Sequence, residues 1–86
     1  MIKIEFSLRQ LNLFSRCVKN ESNLNYKIKE KTLIIENNLK TQLELIIKNI
    51  DEYYNRFGVK YNKEPTRLGL ELLEIKDKFT SEVKKL

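Results

Sequence analysis

The stretch Leu39–Phe57, LKTQLELIIKNIDEYYNRF, decides the fold. Its apolar residues Leu39, Leu43, Ile46, Ile50, Tyr53 and Phe57 are spaced 4, 3, 4, 3 and 4 apart. At about 100° per residue they share one stripe of a helix. Ile47 and Tyr54 widen that stripe to an arc of about 120°, the width of a core-facing helix rather than a coiled-coil seam. Glu44 precedes Lys48 by four, and Glu52 precedes Arg56 by four. Both pairs run in the direction that supports a helix. Gly58 follows at once and suits the left-handed position that closes a helix. Asn37 and Asn38 stand just before the stretch, where asparagine is better as an N-cap than inside a helix. A competing reading starts the helix near Thr32 and makes it about 26 residues long.

Downstream, Val59–Glu64 is a short connection and Pro65 suits the first turn of another helix. Leu68, Leu72, Ile75, Phe79, Val83 and Leu86 then recur at 4, 3, 4, 4 and 3. Glu74 pairs with Lys78 at helical spacing. A short link between two helices of this kind predicts an antiparallel hairpin.

Upstream, Ile2, Ile4 and Phe6 alternate with Lys3 and Glu5, the period of a half-buried strand. Ser7-Leu8-Arg9-Gln10 has the form of a capping box. The helix it opens carries Leu8, Leu11, Phe14 and Val18, with Leu13 and Cys17 broadening the apolar arc. Leu24, Tyr26 and Ile28 alternate with Asn25, Lys27 and Lys29, which reads as a second strand with a basic outer face. Thr32–Glu36 is rich in β-branched residues and reads as a third. Glu30-Lys31 would be the turn between them, without the Asn-Gly chemistry that a tight hairpin prefers. The fold expected is α+β, in the order strand-helix-strand-strand-helix-helix, with a small antiparallel-type sheet and three helices. The alternative is an all-α bundle with an N-terminal strand.

The 86 residues make one small domain, 1–86. A hydrophobic fraction of 41% supports a folded core. Seventeen basic and twelve acidic residues give a net charge of +5, which suits an acidic partner without requiring one. Lys, Asn and Ile are abundant while Trp and His are absent, the usage of a low-GC coding sequence such as those of phages, mobile elements and some bacteria. A single cysteine fits a reducing compartment. Glu5 interrupts any signal-peptide-like apolar run. The longest apolar run, Leu33-Ile34-Ile35, is far short of the ~20 residues of a membrane span. The expectation is a soluble cytoplasmic protein with no membrane partner.

Several chemistries lack their residues. Without histidine there is no His-based general base, nucleophile pair or metal ligand. One cysteine cannot make a zinc finger. Two glycines, at 58 and 69, cannot build a phosphate loop. The carboxylate pairs Asp51/Glu52 and Glu71/Glu74 sit beside bases on outer helix faces and read as solvated surface. Cys17 lies on the apolar arc of its helix and reads as a buried thiol. The expectation is therefore a protein with no catalytic residues, no metal and no cofactor.

The sharpest surface feature is the stripe Arg9, Asn12, Arg16 and Lys19, in a segment with no acidic residue between Phe6 and Asn20. Lys27 and Lys29 are expected to extend it, and Arg9, Arg16 and Lys19 to stand free of carboxylates. A second cluster mixes aromatics with bases: Tyr53, Tyr54, Arg56, Lys60, Tyr61 and Lys63. Tyr53 belongs to the packing stripe, so Tyr61 and Lys63 are its candidate binding residues. Leu70 and Leu73 fall off the stripe of the last helix, and a homodimer would be one way to cover them. The function expected is non-catalytic binding to an acidic protein surface, as a small regulator or inhibitor. A phage or mobile-element product acting on a host factor would be one instance. The alternative is nucleic-acid binding through the basic face of the first helix.

Overall fold

A computed structural model describes residues 1–86. The elements are β1 (Ile2–Glu5), α1 (Leu8–Cys17), β2 (Lys27–Lys29), β3 (Thr32–Ile35), α2 (Leu39–Phe57) and α3 (Arg67–Val83). The order is the expected one, and a three-stranded sheet excludes the all-α alternative. Both neighbours of the central strand β3 are antiparallel to it, in the order β1-β3-β2. Ile2 faces Ile35 and Ile4 faces Leu33, so four branched side chains point inward together and are buried. Lys3, Glu5, Lys27 and Lys29 are exposed.

β2 is shorter than the alternation suggests. The Asn25 N–H, which a longer strand would use in the ladder, donates to the buried Gln42 side-chain oxygen at 3.0 Å. Leu24 and Tyr26 therefore pack against the core as loop residues. At the Glu30-Lys31 turn only Glu30 has a positive φ, 57°. A positive φ at the first position of a two-residue turn is one that glycine, asparagine or aspartate normally takes.

The capping box of α1 is present in both directions. Gln10 N–H donates to Ser7 Oγ at 3.1 Å, and Ser7 N–H donates to Gln10 Oε1 at 2.9 Å. Asn38 is the N-cap of α2, but its side chain caps nothing. Its backbone is left-handed, φ 52° and ψ 48°, a conformation asparagine tolerates better than most residues.

Gly58 departs from expectation. Its φ of −97° is not left-handed. It is needed because the end of α2 and the start of α3 meet backbone to backbone. A Cβ on Gly69 would overlap the Gly58 carbonyl oxygen, and a Cβ on Gly58 would lie 2.8 Å from the Tyr54 ring and 3.0 Å from Gly69 Cα. The Gly58 carbonyl also accepts from Thr66 N–H at 2.8 Å. Pro65 pairs with Val59 and precedes the helix rather than opening it. Thr66 is the N-cap, its hydroxyl accepting from Gly69 N–H at 3.0 Å.

Leu43, Ile46, Ile50, Leu72, Ile75 and Phe79 are buried and Leu39 is partly so, which makes the hairpin of α2 and α3 the body of the core. Three rings join it to the rest of the chain. Phe79 of α3 lies 5.6 Å from both Phe6 and Phe14, and Tyr26 meets Phe14 edge-on at 5.3 Å. Lys78 closes over this junction, donating to the Glu5 carbonyl at 2.7 Å and lying 4.8 Å from the Phe6 ring centroid. It makes no ion pair with Glu74, and neither Glu44–Lys48 nor Glu52–Arg56 closes.

The apolar stripes overrun the core at their ends. Leu8 is 63% exposed, Phe57 53% and Leu86 56%. Phe57 instead meets Tyr53, ring centroids 4.7 Å apart, on the last turns of α2.

Candidate functional site

The basic stripe of α1 is on the surface, with one partner that was not expected. Arg9 pairs with Glu71 of α3 at 2.8 Å. Its side chain is 70% exposed, so the pair contributes no more than ~1 kcal/mol. The expectation that all three bases lack carboxylates is corrected for Arg9. Arg16 and Lys19 are unpaired, and Asn12 is exposed beside them.

Lys27 and Lys29 do not extend this stripe. They lie on the outer face of the sheet, where Lys27 approaches Glu36 at 3.5 Å. β2 follows a loop fastened by Asn25 to Gln42, in the first turn of α2, whereas Arg16 and Lys19 lie against Asn49 to Phe57. α2 has 19 residues and spans roughly 28 Å at ~1.5 Å per residue. The protein thus carries two separate basic areas.

The first of them borders a groove of about 420 Å³ between the end of α1 and the second half of α2. Arg16, Lys19 and Arg56 supply cations. Tyr53 and Phe57 supply an apolar wall. Glu52 is the one carboxylate lining it and pairs with none of the bases. Asn49 fastens the groove's edge, donating from its amide to the Leu45 carbonyl at 2.8 Å and to Glu21 at 3.1 Å. Cys17 also lines it but is buried, and desolvation pushes its thiol up to about 11. At neutral pH it is a neutral thiol and no nucleophile.

A second groove, of about 550 Å³, lies between α1 and α3. Leu8, Leu13 and Leu68 give it apolar surface, while Arg9, Asn12, Arg16 and Glu71 give it polar groups. Arg16 stands between the two grooves and lines both.

Tyr61 and Lys63 belong to the same end of the molecule. The connection of the hairpin leaves α2 at Phe57 and folds into a three-residue loop. Lys60 N–H donates to the Glu64 carbonyl at 2.7 Å, and Lys63 N–H to the Lys60 carbonyl at 2.9 Å. Lys63 has a φ of 67°, the left-handed residue that such loops require. Tyr61 is fully exposed at the tip between Lys60 and Lys63, both unpaired.

Phe57 is the surface residue that sequence reasoning missed, and Arg56, a member of the second aromatic–basic cluster, is not among its candidate binding residues. Phe57 was assigned to the packing stripe. The signal against it was its place in the last turn, beside the residue that turns the chain. One member of each carboxylate pair makes an ion pair, Asp51 with Lys76 across the hairpin at 2.8 Å and Glu71 with Arg9, while Glu52 and Glu74 make none. Leu70 is exposed while Leu73 is half-buried, so they do not form a joint uncovered patch. No helix is long and apolar enough to cross a membrane. No protein-family model matches this chain, and neither a curated protein nor a solved structure does.

Glu21 gives the site a pH dependence. The Asn49 amide, then the Asn23 N–H, stabilise its carboxylate and hold its pKa below the ordinary value. A depressed carboxylate contributes stability above its unfolded pKa and loses it as pH falls through the folded value. Glu21→Gln should therefore be less stable than wild type at neutral pH. The gap should close in acid, below the ordinary carboxylate range. Denaturation midpoints across pH check this, and a gap that stays constant would remove the anchoring role.

Proposed function

We propose that the protein is a non-catalytic binding module that docks on an acidic surface of a protein partner and regulates or inhibits it. One observation carries the reading: Arg16, Lys19 and Arg56 stand unpaired around the exposed Phe57 ring and the half-buried Tyr53 ring that it meets. Unpaired like charges on one face create a local positive potential that steers acidic partners. Aromatic and arginine side chains are the types that dominate binding energy at interfaces. Tyr61, with Lys60 and Lys63, supplies an outlying contact at the same end.

Tyr61 between two lysines also favours a second reading, single-stranded nucleic acid stacked on the ring. The two separate by capture from the organism that encodes the chain. Wild-type bait should retain a protein after nuclease treatment, and Arg16→Glu/Arg56→Glu bait should lose it. Nuclease-sensitive capture with a steep salt dependence would favour the second reading. Equal capture by both baits would place the partner elsewhere.

A further inference from the structure

β1 is an edge strand, with β3 on one side and no strand on the other. Phe6 N–H donates toward β3, to the Lys31 carbonyl at 2.9 Å. Backbone groups alternate in direction along an antiparallel strand. Ile2 and Ile4 therefore also bond toward β3, and the N–H and C=O groups of Lys3 and Glu5 face the open edge. The edge contains no proline. Of its outward groups, the Glu5 carbonyl accepts from Lys78 Nζ at 2.7 Å, which leaves its second lone pair free. The Lys3 N–H, Lys3 C=O and Glu5 N–H have no partner in the chain. The side chains of Lys3 and Glu5 are exposed on the outer face, while Ile2 and Ile4 are buried on the inner one.

We propose that β1 pairs antiparallel with β1 of a second copy of the chain, joining two three-stranded sheets into one of six strands. Charge selects the register. The outward-bonding residues can face each other as Lys3 with Lys3, Glu5 with Glu5, or Lys3 with Glu5. The first two place like charges directly opposite, which destabilises a pair of strands. The third places two opposite-charge pairs on the outer face and meets the outward donors of each copy with acceptors of the other. It sets Ile4 opposite Ile4 at a two-fold axis, as a closed symmetric dimer requires. This surface contains none of Arg16, Lys19 and Arg56, so dimerisation and partner docking are independent.

Sedimentation equilibrium on the full chain tests it. Wild type should show the two-chain mass at high micromolar concentration and dissociate on dilution. Lys3→Glu and Glu5→Lys should each show the single-chain mass, since each sets like charges opposite. The double variant Lys3→Glu/Glu5→Lys, which restores opposite charges in the same register, should regain the dimer. Amide exchange on the wild type reads the same edge without substitution, and the Lys3 and Glu5 N–H groups should slow at least about tenfold between dilute and concentrated protein. A single-chain mass for concentrated wild type would overturn the proposal. So would dimers in both single variants, a folded double variant that stays monomeric, or edge amides whose exchange ignores concentration.

Discussion

Replacing Gly69 by alanine should destabilise the protein by about 3 kcal/mol, the upper part of the usual range for overpacking. Gly69 lies in the first turn of α3, where alanine would by itself gain up to ~1 kcal/mol of helix propensity. The clash outweighs that gain, because the new Cβ meets backbone rather than a side chain that can rotate away. Its first neighbours are the carbonyl oxygen and carbon of Gly58. The same carbonyl accepts from Thr66 N–H at 2.8 Å, so moving it away also stretches the bond that sets the start of α3. Chemical denaturation measures the loss. A Gly69→Ala midpoint at or above wild type would mean that the two helix ends separate freely.

Phe14→Ala should cost about 3–5 kcal/mol, the range for truncating a buried aromatic. Phe14 is completely buried and touches rings from three other parts of the chain: Phe6, Tyr26 and Phe79. Its removal leaves a cavity where strand, loop and helix meet. A domain of this kind has only ~5–15 kcal/mol in total. Phe57→Ala should cost far less, since Phe57 is 53% exposed and its ring meets Tyr53 alone among the aromatics. Equal losses for the two would return Phe57 to the core and remove the apolar wall of the groove.

That contrast shows where sequence reasoning succeeds and where it stops. Local signals carried the fold. Ser7 and Gln10 announced the start of α1 because a capping box is written in four adjacent residues. The alternation of Ile2 and Ile4 set the buried face of β1, and the spacing from Leu43 to Ile50 set that of α2. Features that depend on a distant partner were not readable. Gly58 looks like an ordinary helix terminator until Gly69 is found against it. Arg9 stands in a segment without acids, and its carboxylate arrives from α3. Phe57 continues a perfect spacing, yet the spacing says nothing of whether another element reaches that far. The basic stripe of α1 was visible at once, but its union with Arg56 required two helices to pack.

The most direct test of the binding surface is the affinity of the captured partner for wild type and for Arg16→Glu/Arg56→Glu, measured at low and at high salt. The expected result is a loss of about a hundredfold at low salt, ~2.7 kcal/mol, that shrinks as salt screens the charges. The two proteins should melt nearly together, since exposed substitutions usually stay within ~0.5 kcal/mol each. A partner that binds both proteins equally at low salt would contradict the account.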